Sequence, residues 1–215
     1  MVEFDVQLSS DGVPVIFHDD DCTRLLGTPE AIHAVDWNHI QSLRMRNLHG
    51  LELAYRIPSL EEFLQEFGNR QFYLELKVPK EKAEDGAYVR HLGEKVSDMV
   101  LATNPHAQTF LASFHEGILR LLAQEKRFPI LAGIFDDYTG FRKAYDDGEA
   151  AEYLQYYSLS WKLLRRFNKD EIHVKPWDPS RFFVWNINGL AELRSAAELK
   201  LQGLVSDDVE TLLTL

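Results

Sequence analysis

Val2-Glu3-Phe4-Asp5-Val6-Gln7-Leu8, followed across Ser9-Ser10-Asp11-Gly12 by Val13-Pro14-Val15-Ile16-Phe17-His18-Asp19, is the stretch on which the fold turns. The first run alternates, so Val2, Phe4 and Val6 point to one face of a strand while Glu3 and Asp5 point to the other. The second run is apolar almost throughout, the pattern of a strand buried on both faces, and it ends abruptly in a histidine followed by acids. Asp11-Gly12 is a tight-turn signal, so the two runs read either as a hairpin or as a strand with a bent extension.

Outward from this stretch, short β-rich runs alternate with longer helical patterns. Further strands are expected near 71–77, 109–114, 129–135, 153–157, 181–188 and 203–205, and helices near 84–102, 116–126, 140–147 and 190–199. Ser59 followed by Leu60-Glu61-Glu62 is an N-cap with a capping-box glutamate, which predicts another helix running to Gly68. Such alternation argues for an α/β fold of parallel strands joined by crossover helices. No repeat, low-complexity tract or Pro/Gly/Ser linker divides the 215 residues, so a single domain is expected.

Composition narrows the function. With 34 acidic residues against 23 basic, the net charge of -11 repels polyanions, and no basic patch offsets it, so no nucleic acid partner is expected. The single cysteine, Cys22, excludes an internal disulfide and fits a reducing compartment. No apolar run approaches the roughly 20 residues that span a bilayer. Met1 to Asp5 lacks the basic and apolar regions of a signal peptide, so the expected location is cytoplasmic, although an export signal further upstream would leave no trace in this sequence.

Candidate chemistry gathers where charges interrupt apolar strands. Glu3 and Asp5 on one face repel, and a hard divalent cation such as Ca²⁺ or Mg²⁺ would relieve them if that face is interior; a solvated outer face is the plainer reading. His18 sits at the end of an apolar run, where residues of an α/β barrel build the active site, and an imidazole can pass a proton to or from a phosphate-ester oxygen. Its plainer reading is a cap on a buried strand, and Asp19 can orient the ring, stabilise a turn or be merely solvated. In Phe72-Tyr73-Leu74-Glu75-Leu76-Lys77 the acid could complete a cation site and the lysine bind a phosphate oxygen, or the two could form an internal ion pair. Three strands with charges at their ends are harder to explain as accident, because each buried charge is costly unless paired or metal-bound.

Taken together, Glu3-Phe4-Asp5-Val6-Gln7, Ser9-x-Asp11-Gly12-Val13-Pro14-Val15, His18-Asp19 and Thr23-Arg24 closely resemble the opening block of the glycerophosphodiester phosphodiesterase family. The resemblance continues in family order through Ile57-Pro58-Ser59-Leu60-Glu61-Glu62, Leu74-Glu75-Leu76-Lys77, Ser113-Phe114, Val184-Trp185-Asn186-Ile187-Asn188 and Gly203-Leu204-Val205-Ser206-Asp207. It implies a TIM (β/α)8-type barrel and a metal-dependent phosphoric diester hydrolase that releases sn-glycerol 3-phosphate and an alcohol from a small glycerophosphodiester substrate. It further implies that Glu3, Asp5 and Glu75 hold one divalent cation, Ca²⁺ or Mg²⁺, that His18 is one of two acid/base histidines, that Lys77 contacts the phosphate, and that Trp185 borders the substrate pocket. For Trp185 a large core aromatic is an equal alternative. Asn186 stands where the family carries threonine, and the sequence offers no reading of that change. Trp161 and His115 follow expected strands and could also reach the pocket, though packing and solvation explain them as well.

Family members open with a His-Arg-Gly strand and an Glu-Asn-Thr helix start that this sequence does not match, so Met1 aligns inside the second barrel unit. A barrel of this kind typically takes about 250 residues. The expectation is therefore a barrel incomplete at its N-terminus and lacking one acid/base group worth about 10²–10⁴-fold in rate, which leaves the activity of the shortened chain an open question. An unclosed barrel would leave strand edges open to pairing with a second copy, so a homo-oligomer is an open expectation. Two other readings stand beside this one: a related barrel phospholipase acting on phosphoinositide or sphingomyelin, and a non-catalytic barrel that serves as a binding module.

Overall fold

The computed structural model describes residues 1–103, 109–146, 148–166 and 178–213. Contacts divide the chain into two compact units, Met1–Pro129 and Ile130–Leu215. Both are α/β with parallel strands joined by helices.

The first unit holds β1 (Val2–Leu8), β2 (Pro14–Ile16), α1 (Thr23–Leu26), α2 (Trp37–Ser42), α3 (Leu60–Phe67), β3 (Phe72–Leu76), α4 (Gly86–Thr103), β4 (Phe110–Ser113) and α5 (Glu116–Gln124). Its strands lie in the order β2-β1-β3-β4, with β2 antiparallel to β1 and the remaining pairs parallel. The hairpin option is therefore the one realised, and His18 follows the return strand of a hairpin rather than ending a parallel barrel strand. The turn closes where the sequence signals it. Gly12 takes φ +79°, its N–H donates to the Ser9 carbonyl, and Ser9 Oγ accepts from Val13 N–H at 2.9 Å.

The apolar run from Val13 to Phe17 has a different cause from the one expected. Val15 and Phe17 are buried in a small core of their own with Cys22, Leu26, Ile32, Val35, Ile40 and Ile57, supplied by the segment between the hairpin and α3. On β1 the expected alternation holds. Phe4 packs its ring 4.8 Å from Phe63 of α3 and 5.5 Å from Phe72 of β3, which places Asp5 and Gln7 on the opposite face. The Ser59 capping box forms as read, with Ser59 Oγ accepting from Glu62 N–H and the Glu62 carboxylate accepting from Ser59 N–H.

The second unit holds β5 (Leu131–Phe135), α6 (Tyr138–Asp146), α7 (Gly148–Tyr153), β6 (Tyr156–Ser160), α8 (Trp161–Arg166), β7 (Phe182–Trp185), α9 (Leu190–Ala197), β8 (Gly203–Leu204) and α10 (Val209–Leu212). Its four strands pair in sequence order and in parallel. Tyr157 stacks on Phe182 at 5.4 Å and meets Tyr145 edge-on at 5.1 Å, forming an aromatic core between sheet and helix. The expected strand at 153–157 is corrected to Tyr156–Ser160. Ala150 and Leu154, both buried, are spaced by one helical turn, and Leu154 N–H donates to the Ala150 carbonyl, so the start of that apolar run belongs to α7. Position 147, the expected end of the helix before it, lies outside the described residues. No helix among the described residues is long and apolar enough to cross a membrane.

A Cβ at position 12 would stand 2.8 Å from His91 Nε2 in a backbone conformation that L-residues avoid. Gly12→Ala is therefore expected to destabilise the protein by about 1–2 kcal/mol. Urea denaturation should show a lowered midpoint with an unchanged slope.

Candidate functional site

Parallel register brings two carboxylates face to face. β1 and β3 pair with Glu3 opposite Tyr73 and Asp5 opposite Glu75, so Asp5 and Glu75 occupy the same face of adjacent strands. Both are buried, at 8% and 9% exposure. Lys77, two residues beyond Glu75, reaches Asp5 with Nζ 3.5 Å from Oδ1. The internal Glu75–Lys77 ion pair weighed from the sequence is thus replaced by a pair across strands, Lys77 with Asp5. Glu3 shares the face of Asp5 but lies exposed at the start of β1, close enough for its charge to act on Glu75.

This arrangement pushes the Glu75 carboxyl up to about 8. Burial is the main cause, the Asp5 charge is the second, and Lys77 opposes both. The chemistry of the donor set fits a hard divalent cation, since a buried carboxylate pair with a third carboxylate nearby would lose its repulsion to a cation that both acids ligate. As they stand, no three His, Cys, Asp or Glu side chains among the described residues are arranged to hold a metal ion.

Beside the pair lies a cavity of about 220 Å³ lined by Glu75, Lys77, Val78, Ser113, Phe114 and His115. Ser113 closes its floor by donating to the Leu76 carbonyl at 2.7 Å. His115 lines the cavity, but both of its ring nitrogens are engaged. Nδ1 accepts from Ile118 N–H as the N-cap of α5, and Nε2 donates to the Ala83 carbonyl at 2.9 Å. It is a helix cap with a fixed tautomer, which is the packing alternative weighed for it from the sequence.

His18 is held differently. Phe17 N–H donates to the Asp5 carbonyl at 3.0 Å, tying the residue before His18 to the strand that carries the acid pair. The imidazole projects into solvent with Nδ1 3.0 Å from Asp19 Oδ1, and Arg24 holds the Asp19 carboxylate through two further hydrogen bonds. Of the three roles open to Asp19, orienting the ring is the one its contacts match. Gln7, to which the sequence reading attached no role, is almost fully buried on the Asp5 face and donates to the carbonyls of the His18 turn. Its signal was available in principle: a glutamine two residues beyond Asp5 continues the polar face inward.

In the second unit, Trp185 ends β7 half-buried, and Trp161 opens α8 directly after β6. The Asn186 change acquires a reason there. Asn186 and Asn188 each donate a side-chain amide to Asp207 Oδ2 at 3.0 Å, so an amide at 186 supplies a donor that ties the loop after β7 to the segment after β8.

The raised Glu75 carboxyl has a stability consequence. Between pH 4.5 and 8 the folded protein holds a proton on Glu75 that the unfolded chain releases, so without bound cation this group's contribution to stability is full at low pH and is lost as pH rises through about 8. Glu75→Gln should approach the parent near pH 5 and exceed it by roughly 4 kcal/mol at pH 9. Urea denaturation in EDTA across that range measures the difference, and equal stability at both ends would contradict the assignment.

Residues 1–211 match the family model described as the glycerophosphoryl diester phosphodiesterase family. No match is found among curated proteins. Among solved structures, the chain resembles an Oleispira antarctica phosphodiesterase in complex with the product sn-glycerol-3-phosphate, at 18% identity and TM-score 0.73 over 99% of this chain and 83% of that one. It also resembles glycerophosphodiester phosphodiesterases from Agrobacterium tumefaciens, at 20% identity and TM-score 0.67 over 99% and 86% of the two chains, and from Thermotoga maritima, at 19% and 0.66 over 99% and 84%. The α/β class of the TIM-barrel type expected from the sequence is the class of these neighbours. With a family model spanning nearly all of its length, the chain belongs to the glycerophosphoryl diester phosphodiesterase family.

Proposed function

We infer that the chain is a cation-dependent hydrolase of small glycerophosphodiesters, yielding sn-glycerol 3-phosphate and an alcohol. The observation that carries this reading is the buried Asp5–Glu75 pair, opposed by register, with Lys77 beside it at the edge of an open cavity. The product bound to the Oleispira antarctica relative supports the substrate class. Asp5 and Glu75, with Glu3 drawn in from the strand start, are the residues that would hold one Ca²⁺ or Mg²⁺. The chemistry such a cation supplies when bound is neutralisation of the diester charge and Lewis-acid polarisation of its oxygens.

The chain's own groups divide the remaining work. Lys77 lines the cavity and carries a compact ammonium with three donors, suited to a non-bridging phosphate oxygen once a cation relieves it of screening Asp5. His18 gives or takes the proton that moves between the attacking oxygen, the ester and water.

Incubation with glycerophosphocholine and Mg²⁺ or Ca²⁺ should release sn-glycerol 3-phosphate, and EDTA should abolish the release. Saturation at about 100 times the dissociation constant should also raise unfolding free energy by about 2.7 kcal/mol, an effect lost in Asp5→Asn. Hydrolysis indifferent to EDTA, or a stability indifferent to both cations, would sink the reading.

A further inference from the structure

We propose that Asp19, Arg24 and Gln7 are positioning residues that hold His18 in one tautomer, with the proton on Nδ1 and Nε2 presented as the open proton-exchanging atom. The proposal rests on the reading of His18 as an acid/base group and adds which nitrogen acts and what fixes it.

The tautomer follows from the donor inventory. Asp19 Oδ1 lies 3.0 Å from His18 Nδ1. An ionised carboxylate has only acceptors, so Nδ1 must be the donor. Neutral imidazole carries one proton, which leaves Nε2 as a bare acceptor. Arg24 makes the carboxylate's state definite: its Nε donates to Asp19 Oδ2 at 2.7 Å and its Nη2 to Oδ1 at 2.8 Å, a planar fork matched to two oxygens. Consistently, Arg24 holds the Asp19 carboxyl below the ordinary range.

An isolated contact between an exposed histidine and its neighbour would be worth little, since His18 and Arg24 are 67% and 53% exposed. The anchoring beneath them gives the arrangement its order. Gln7 is 1% exposed, and its Nε2 stands 3.1 Å from the Phe17 carbonyl, 3.4 Å from that of His18 and 3.0 Å from that of Asp19. One buried amide thus gathers three consecutive carbonyls into a turn. Arg24 is carried on α1, whose first N–H groups are met by Asp21 Oδ1 accepting from Thr23 N–H at 2.8 Å. The turn that carries ring and carboxylate is anchored by Gln7 and the guanidinium by α1, and the two converge on one geometry, as the orienting acid does in a hydrolase triad.

The test is the ring tautomer itself, read by long-range ¹H–¹⁵N correlation on the full chain with ¹⁵N-labelled histidine, at a pH where His18 is neutral and with its signal assigned by His18→Gln. The parent protein should show protonated Nδ1 and bare Nε2. In Asp19→Asn the amide oxygen turns to Arg24 and the NH₂ group faces Nδ1, so the tautomer should invert. Arg24→Lys keeps the charge and loses the fork, so a mixture of the two forms should appear. Arg24 is exposed and Asp19 partly buried, and neither belongs to the hydrophobic core, so both variants should fold. A parent protein with its proton on Nε2, or a tautomer unmoved by both variants, would overturn the proposal. In a glycerophosphocholine assay with Mg²⁺, Asp19→Asn should lower kcat roughly 10²-fold with KM unchanged. The expected tautomer in a parent protein that hydrolyses no glycerophosphodiester would refute the functional reading while supporting the positioning.

Discussion

Two carboxylates are forced together by the register of a parallel strand pair, and much of the first unit is organised around that constraint. Asp5 and Glu75 cannot separate without a slip of β1 against β3, and a slip of one residue would turn Phe4 away from Phe63 and Phe72. The apolar contacts on one face therefore hold the acids opposed on the other. Hydrophobic burial, at roughly 25 cal/mol per Å², outweighs the repulsion because Phe4, Phe63 and Phe72 bury large rings while the raised Glu75 carboxyl lowers the cost of the acid pair.

The same strand carries the second part of the site. Glu3, Asp5 and Gln7 lie along one face of β1, and the hairpin return brings Phe17 back beside Asp5, so the acid pair and the His18 turn are joined by one strand and one hydrogen-bonded crossing. The small core of Val15, Phe17, Cys22, Leu26, Ile32, Val35, Ile40 and Ile57 keeps that return strand in place. Loss of packing there would be felt as displacement of an imidazole whose nearest partners are polar and solvent-facing.

Much of this was legible in the residues. Alternation in β1, the Asp11-Gly12 turn and the Ser59 capping box each depend on local chemistry within a few positions, and each appears as read. What escaped the sequence depends on contacts distant along the chain. The short helices α1 and α2 have too few residues to be stable alone and exist because Leu26 and Ile40 are buried against the hairpin. A Glu75–Lys77 pair is one reading of the sequence because the two are neighbours in it, whereas Asp5 is brought within reach only by strand pairing. His115 is ambiguous by composition, and it becomes a structural cap because Nδ1 accepts from Ile118 N–H while the distant Ala83 carbonyl engages its Nε2. Asn186 could not be interpreted until Asp207 was seen to receive its amide.

The distribution of protons in the acid pair follows from where the single ammonium sits. Lys77 Nζ lies by Asp5, while burial and then the Asp5 charge push the Glu75 carboxyl up. The site is thus internally compensated without a ligand: one proton and one ammonium together balance two buried acids and leave no uncompensated charge. Binding a cation would displace both compensations at once, releasing the Glu75 proton and freeing Lys77 to turn toward the cavity it lines. On the reading proposed above, cation affinity and phosphate affinity would be coupled for that reason, because the ammonium that would meet the substrate is the one that otherwise neutralises Asp5.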